Sequence, residues 1–474
     1  MAGFFVENFG CRATQADGAA IERQLIQKGL TRATGPKVAQ VVVLNTCTVT
    51  ASADQDVRNS IRRIHRENPE CKILVTGCYA QRSPEELAII PGVSWVVGNS
   101  HKSQIGEVAC GGFVPLSSVG GGERSFAPPE RSGEPVPTQV LVSDIFAHTE
   151  LLAAPVFDAD TASEKTRPNL KVQDGCNNRC SFCIIPSVRG RSRSLPVADV
   201  IAEVNGLVAN GYREIVISGI NLGRWGRDLK SPSLDGPKVE DGAPGVPGKF
   251  AGLVRAILEQ TSLEKLRISS VEPMDWTEEL VDLVAASSRI AKHAHVPMQS
   301  GSDRVLRLMH RKYRPWHYEE KVGKIRAAMP DAAIGADVMV GFPGETDEDF
   351  EQTRSLIERL PMTYLHVFTF SARPGTPAAE MKGQVHPQVM KERNRILREL
   401  AAKKKHEFQQ TFIGRELQAI TLTNFNGTHT ECLTDNFQKL WLEGHWEANQ
   451  WVRARISGIE GDAVIGRASL EMAD

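Results

Sequence analysis

No apolar run in this chain comes near the roughly 20 residues that a membrane-spanning helix requires. The longest, such as Val41-Val42-Val43-Leu44, are a fraction of that. The opening residues Met1-Ala2-Gly3-Phe4-Phe5-Val6-Glu7-Asn8 lack the basic stretch and apolar core of a secretory leader. An excess of charge is missing too. Lys and Arg number 56 against 57 Asp and Glu, a net charge of −1, so nucleic-acid binding has to rest on local patches. Cysteine is scarce: nine in 474 residues are too few for a disulfide scaffold, and an odd number cannot pair completely. No internal repeat is visible. These absences predict a cytoplasmic protein with no membrane association. What is present is ordinary, with 41% hydrophobic and 24% charged residues, as in soluble globular proteins. The length suggests about three domains.

Residues 1–110 alternate strand and helix patterns: strands over Gly3–Asn8, Gln40–Leu44, Lys72–Thr76 and Trp95–Val97, helices over Gln15–Lys28 and Asp54–Glu67. Such alternation predicts a parallel sheet covered by helices. Residues 111–168, with Gly120-Gly121-Gly122 and Pro128-Pro129, read as a connecting segment. From 169 to 408 six further strands are expected, at Asn169–Gln173, Glu214–Ser218, Lys265–Ser270, His293–Pro297, Ala333–Val340 and Tyr364–Phe370. Helical stretches lie between them, including Val197–Asn210, Phe250–Gln260, Thr277–Ala286 and Asp347–Arg359, which predicts a partial or full (β/α) barrel. Arg227–Lys249 reads as a Gly- and Pro-rich loop, and Met390–Phe408 as a helix with seven Lys or Arg between Lys391 and Lys405. Residues 409–474 read as a small β-barrel. The fold class is therefore α/β, ending in a separate β-barrel.

The cysteines are clustered. Cys176, Cys180 and Cys183 form a C-x3-C-x2-C loop directly after a predicted strand. Structural zinc sites favour paired C-x2-C units and a fourth ligand, and no nearby Cys or His supplies one. Three thiolates can instead hold a [4Fe–4S] cluster with one iron open; a zinc loop or buried thiols are the plainer alternatives. Cys11, Cys47 and Cys78 each follow a predicted strand, and the carboxyl ends of parallel strands line one edge of a sheet, where ligands bind. Cys71, Cys110 and Cys432 read as isolated thiols.

The loop, with Phe182 between its last two cysteines, resembles the radical S-adenosylmethionine superfamily. In that family the open iron chelates S-adenosylmethionine, whose reductive cleavage gives a 5′-deoxyadenosyl radical. Ser218-Gly219-Ile220-Asn221-Leu222-Gly223, Arg267–Pro273, Pro297–Ser302 and the run from Ala336 through Gly341-Phe342-Pro343-Gly344 to Thr346 resemble its cofactor-binding strand ends. The resemblance assigns Gly219, Asn221, Ser270, Glu272 and Gln299 to the cofactor and Asp337 to its ribose. Phe9-Gly10-Cys11-Arg12, Asn45-Thr46-Cys47-Thr48-Val49 and Thr76-Gly77-Cys78-Tyr79-Ala80-Gln81 resemble the N-terminal domain of the methylthiotransferases. The terminal barrel resembles a TRAM domain. One departure is Thr14, where an Asn often follows the first cysteine.

This likeness implies that Cys11, Cys47 and Cys78 hold a second [4Fe–4S] cluster open to a sulfur species. One S-adenosylmethionine would methylate that sulfur and a second would activate an unreactive carbon, with a low-potential electron donor and a sulfur source as partners. Gly-Cys-Arg, Asn-Thr-Cys-Thr-Val-Thr, Gly-Ile-Asn-Leu-Gly and Ser-Ser-Val-Glu-Pro are most similar to the enzymes acting on N6-threonylcarbamoyladenosine beside the tRNA anticodon. The alternatives are N6-isopentenyladenosine in tRNA and a ribosomal-protein aspartate. For RNA, Arg189, Arg191 and Arg193 follow the cysteine loop, and Arg pairs well with phosphate; a solvated loop is the plainer reading. The terminal barrel has five basic and nine acidic residues from Thr411 to Asp474. Any RNA contact there would use shape, a small patch or Trp441, Trp446 and Trp451, and core packing is the plainer reading of those Trp.

Overall fold

The computed structural model describes residues 2–111, 124–126, 138–148, 166–229 and 250–469. The Gly and Pro clusters of the connecting segment, and all but the start of the Arg227–Lys249 loop, lie outside these. The chain divides into two compact units: Met1–Pro155 with Gln173–Ser194 and Ser371–Ala379, and Val156–Val172 with Leu195–Phe370 and Glu380–Asp474.

The first unit is built on strands β1 (Gly3–Asn8), β2 (Thr31–Arg32), β3 (Val41–Thr46), β4 (Lys72–Gly77), β5 (Val93–Gly98), β6 (Arg124–Phe126) and β7 (Thr138–Leu141). They stand in the order β2-β1-β3-β4-β5-β7-β6. All the pairings are parallel except that of the edge strand β6. Every residue of β3 is buried, which is why this central strand reads as an unbroken apolar run. On one face Val42, Leu44, Ile73 and Val75 pack against Val57, Ile61 and Ile64 of the helix Ala51–Glu67. On the other, Val41, Val43 and Leu74 pack against Ile21 and Leu25 of the helix Arg12–Gln27. Residues 111–168, expected as a connector, supply β6 and β7. β7 extends the sheet because the edge of β5 accepts it, pairing Trp95 with Gln139.

β8 (Asn169–Asp174) begins in the second unit and ends in the first, where Gln173 and Asp174 pair with β9 (Arg193–Ser194). In the second unit β10 (Glu214–Gly219) lies beside β8 and pairs in parallel with β11 (Lys265–Ile268). β12 (His293–His295), β13 (Ala333–Val340) and β14 (Tyr364–Thr369) form a second parallel set. Bridges Leu266–Ile290 and Ser270–His295 join the two sets. With helices between the strands and β14 at an edge, this is an open, partial (β/α) barrel. β15 (Glu416–Phe425), β16 (His429–Thr434), β17 (Lys439–Glu443), β18 (Trp451–Glu460) and β19 (Ala463–Ala468) close into a small barrel in the order β15-β16-β17-β19-β18. Its centre holds Phe412, Ala419, Cys432, Leu440, Ala454 and Ile456. Among the described residues no helix is long and apolar enough to cross a membrane.

Candidate metal centre and cofactor pocket

Cys11, Cys47 and Cys78 follow β1, β3 and β4, three neighbouring parallel strands, so their carboxyl ends sit side by side at about 4.8 Å spacing. Two glycines allow the chain to turn there. Gly10 has φ +108, and a Cβ on it would lie 2.4 Å from the Cβ of Cys47; Gly77 has φ +98, and its Cβ would lie 2.4 Å from the Thr46 carbonyl oxygen. Cys47 and Cys78 are buried, whereas Cys11 is exposed at the N-cap of the helix Arg12–Gln27. Burial, then the neighbouring Cys78 and Cys11, push the Cys47 thiol up to about 12, against a smaller opposing pull from the Arg189 charge. Thr14, the departure noted above, sets its hydroxyl 3.6 Å from the Cys11 sulfur. Cys71 and Cys432 are buried and Cys110 is exposed.

The loop Cys176–Cys183 belongs to the same unit. The Gln173 side-chain amide donates to the carbonyls of Asp174 and Gly175 at 2.9 and 2.8 Å, and Gly175, at φ +70, could not carry a Cβ, which would lie 2.0 Å from the Arg191 carbonyl oxygen. The Asn178 amide donates to the Cys176 sulfur at 3.4 Å. After the loop, Ile184 and Val188 pack against Cys78. Arg189 corrects an expectation. It is 2% exposed, and its guanidinium is held by both carboxylate oxygens of Asp174 at 3.0 and 3.1 Å and by Asp17 at 2.9 Å, so it has no face for RNA phosphate. Arg193 is half-buried and donates to the carbonyls of Arg189 and His148. Arg191 is exposed.

In the second unit the remaining expected residues lie at or just beyond strand ends, except Asp337, which lies within β13. Gly219 closes β10, and Asn221 is buried two residues on. Ser270 bridges to His295, and Gln299, at φ +62, bridges to Val338. Its Oε1 is buried without a hydrogen-bond partner among the described residues. Glu272 is paired with Arg311. Asp337, on β13, accepts from His295 Nε2 at 3.1 Å. Burial raises its pKa, but the His295 hydrogen bond and charge outweigh this and hold the carboxyl below its ordinary value. Gly341 N donates to Glu345 Oε2 at 2.7 Å and Arg393 Nη1 reaches the same oxygen at 2.6 Å, fixing the Gly-Phe-Pro-Gly turn.

Residues 3–98 match the family described as uncharacterized protein family UPF0004, and residues 170–357 match the radical SAM superfamily. The threonylcarbamoyladenosine tRNA methylthiotransferase MtaB of Aquifex aeolicus is 35% identical over 95% of this chain and 99% of its own length. The tRNA-2-methylthio-N(6)-dimethylallyladenosine synthase of Mycolicibacterium paratuberculosis is 34% identical over 88% of this chain and 75% of its own. The chain belongs to the radical S-adenosylmethionine methylthiotransferase family. A fold likeness extends to the radical S-adenosylmethionine methyltransferase TsrM of Kitasatospora setae, at TM-score 0.54 and 17% identity, over 80% of this chain and 75% of that one. Membership brings S-adenosylmethionine and a [4Fe–4S] cluster.

The three thiols of the loop Cys176–Cys183 have the chemistry to hold the [4Fe–4S] cluster of this methylthiotransferase, and the thiols of Cys11, Cys47 and Cys78 lie in the same unit. Among the described residues no three His, Cys, Asp or Glu side chains converge on a point that one metal ion would occupy; a four-iron cube spreads its thiolates over separate corners. Several contributors escaped the sequence reading. His293 Nε2 and His295 Nδ1 both contact the Tyr364 hydroxyl, at 2.7 and 3.0 Å, and a Cβ on Gly335 would collide with that ring. The alternation His-Ala-His on a strand is the signal that puts both rings on one face. Asp54 accepts from Thr48, at 2.7 Å, and from Arg82, at 2.9 Å, beside Cys47, and also pairs with Arg373. The partner Arg373 lies 319 residues away, and no local pattern reveals it.

Proposed function

We propose that this chain is a tRNA methylthiotransferase that converts N6-threonylcarbamoyladenosine beside the anticodon, at position 37, to its 2-methylthio derivative. The observation that carries the reading is full-length likeness to enzymes of that name, over 99% of the Aquifex protein. Three thiols on adjacent strand ends and a second set in the loop after β8 support it.

Cys176, Cys180 and Cys183 would hold the cluster that meets S-adenosylmethionine, and Cys11, Cys47 and Cys78 a second [4Fe–4S] cluster. When bound, the first supplies the electron that cleaves the sulfonium and the second carries the sulfur to be delivered. Gly219, Asn221, Ser270, Glu272 and Gln299 would line the cofactor, with Asp337 as a carboxylate acceptor for its ribose hydroxyls. Arg191 is the exposed member of its triplet and the one suited to anticodon-loop phosphate. A low-potential electron donor and a sulfur source are the further partners required. A tRNA substrate implies work in the cytoplasm.

The test uses purified, anaerobically reconstituted protein. Replacing either set of three cysteines by Ala should halve the bound iron. With tRNA carrying N6-threonylcarbamoyladenosine, S-adenosylmethionine, sulfide and dithionite, the wild type should form the methylthio nucleoside together with 5′-deoxyadenosine. Cys11→Ala should lose the methylthio product while cleavage of S-adenosylmethionine continues. Methylthio product from Cys11→Ala would overturn the two-cluster reading.

A further inference from the structure

Arg189 is among the most deeply buried charges of the first unit, and its surroundings give it work other than RNA binding. Its short helix, Ile185–Arg189, lies against Cys78 through Ile184 and Val188. The Asn99 amide fixes that contact, donating to the Val188 carbonyl at 2.7 Å and reaching the Cys78 sulfur at 3.6 Å. The guanidinium extends to Asp17, on the helix that Cys11 caps. The short helix that ends in this cation thus packs on Cys78, and the cation itself pairs with the helix that Cys11 caps. Asp174 holds the guanidinium through both carboxylate oxygens, and Asp17 is shared with Lys102 Nζ at 2.8 Å, so two buried cations face two carboxylates here. Arg189 Nε is buried without a hydrogen-bond partner among the described residues, so the guanidinium keeps a donor beyond those that Asp174 and Asp17 occupy.

We propose that Arg189 is the fixed counter-cation of the Cys11/Cys47/Cys78 centre and raises the reduction potential of the cluster held there. The proposal rests on the assignment of those three cysteines as cluster ligands. A thiolate-bound cluster gains negative charge when it takes an electron, and a desolvated positive charge nearby stabilises the reduced form. Asp174 and Asp17, both paired with Arg189, partly cancel that effect, so removing the Asp17 charge acts in the opposite direction. Arg189 is a positioning and charge-setting residue rather than a catalytic one.

The experiment uses full-length protein with Cys176, Cys180 and Cys183 replaced by Ala, so that the N-terminal cluster is observed alone. Iron content and a potentiometric titration followed by electron paramagnetic resonance are measured for this background and with Arg189→Gln, Arg189→Lys or Asp17→Asn added. At the midpoint potential of the background protein, Arg189→Gln should lower the ratio of reduced to oxidised cluster about tenfold. Arg189→Lys should restore most of it, and Asp17→Asn, which is isosteric, should raise it. Equal midpoints in cluster-loaded Arg189→Lys and Asp17→Asn variants and the background would show Arg189 to be only a structural staple if Arg189→Gln also leaves the midpoint alone. Should Arg189→Gln fail to fold, a midpoint unmoved by Asp17→Asn overturns the proposal by itself. Absence of iron from the background protein would instead overturn the ligand assignment, a different failure.

Discussion

At the residue scale, the glycines before the cysteines and the carboxylate on β13 carry the sharpest expectations. Gly77 cannot gain a side chain without meeting the Thr46 backbone, and its φ of +98 is strained for any L-residue. Gly77→Ala should destabilise iron-free protein by at least about 2 kcal/mol, read as a lower urea midpoint at unchanged slope; an unchanged midpoint would mean that the strand end does not constrain Cys78. Asp337→Asn should weaken S-adenosylmethionine binding, measured by equilibrium dialysis, while iron content stays at the wild-type value. The reason is that His295 keeps Asp337 ionised, and a neutral amide loses the charge-assisted bond to a hydroxyl. Unchanged affinity would remove Asp337 from the pocket. Arg189 shows what residue identity alone does not reveal. It stands in a basic triplet resembling a phosphate contact, yet its partner Asp17 lies 172 positions away, and only the fold brings the two together.

At the level of elements, much was legible because the physical signal was local. β1, β13 and the helices Phe250–Gln260 and Asp347–Arg359 match their sequence boundaries, since each is an apolar or amphipathic run closed by turn or capping residues. Thr346, for example, caps its helix by accepting from Asp349 N. β6 and β7 were missed for the opposite reason. Thr-Gln-Val-Leu in a Pro- and Gly-rich segment has little intrinsic strand signal, and its pairing is decided by the edge that β5 offers. The basic helix, Pro387–Gln410, illustrates the same limit. Its Arg393 is turned inward to Glu345 and Asp347, while Arg395 pairs on the surface with Glu392 and Glu399. Arg393→Met should leave Glu345 buried without its cation, costing about 3–5 kcal/mol, and should weaken cofactor binding through the Gly341–Gly344 turn. Arg395→Met, an exposed change whose ion pairs are screened by solvent, should leave the unfolding midpoint nearly unchanged. Thermal unfolding and cofactor titration of the two variants check this contrast, and equal losses would contradict it.

For the whole molecule, the central claim is that two sets of thiols serve one transformation of a tRNA nucleoside. Sequence order separates the sets by about a hundred residues, yet both belong to one compact unit, because the loop after β8 folds with the N-terminal sheet rather than with the rest of the barrel. That union was not legible in the chain, whereas the two motifs themselves were. The most direct test is nucleoside mass spectrometry of bulk tRNA from cells with and without the gene. Deletion should abolish 2-methylthio-N6-threonylcarbamoyladenosine while its unthiolated precursor accumulates, and a plasmid copy should restore it where a Cys47→Ala copy does not. Persistence of that nucleoside together with loss of the isopentenyl analogue would contradict the substrate assignment, and no change in either would contradict tRNA as the substrate.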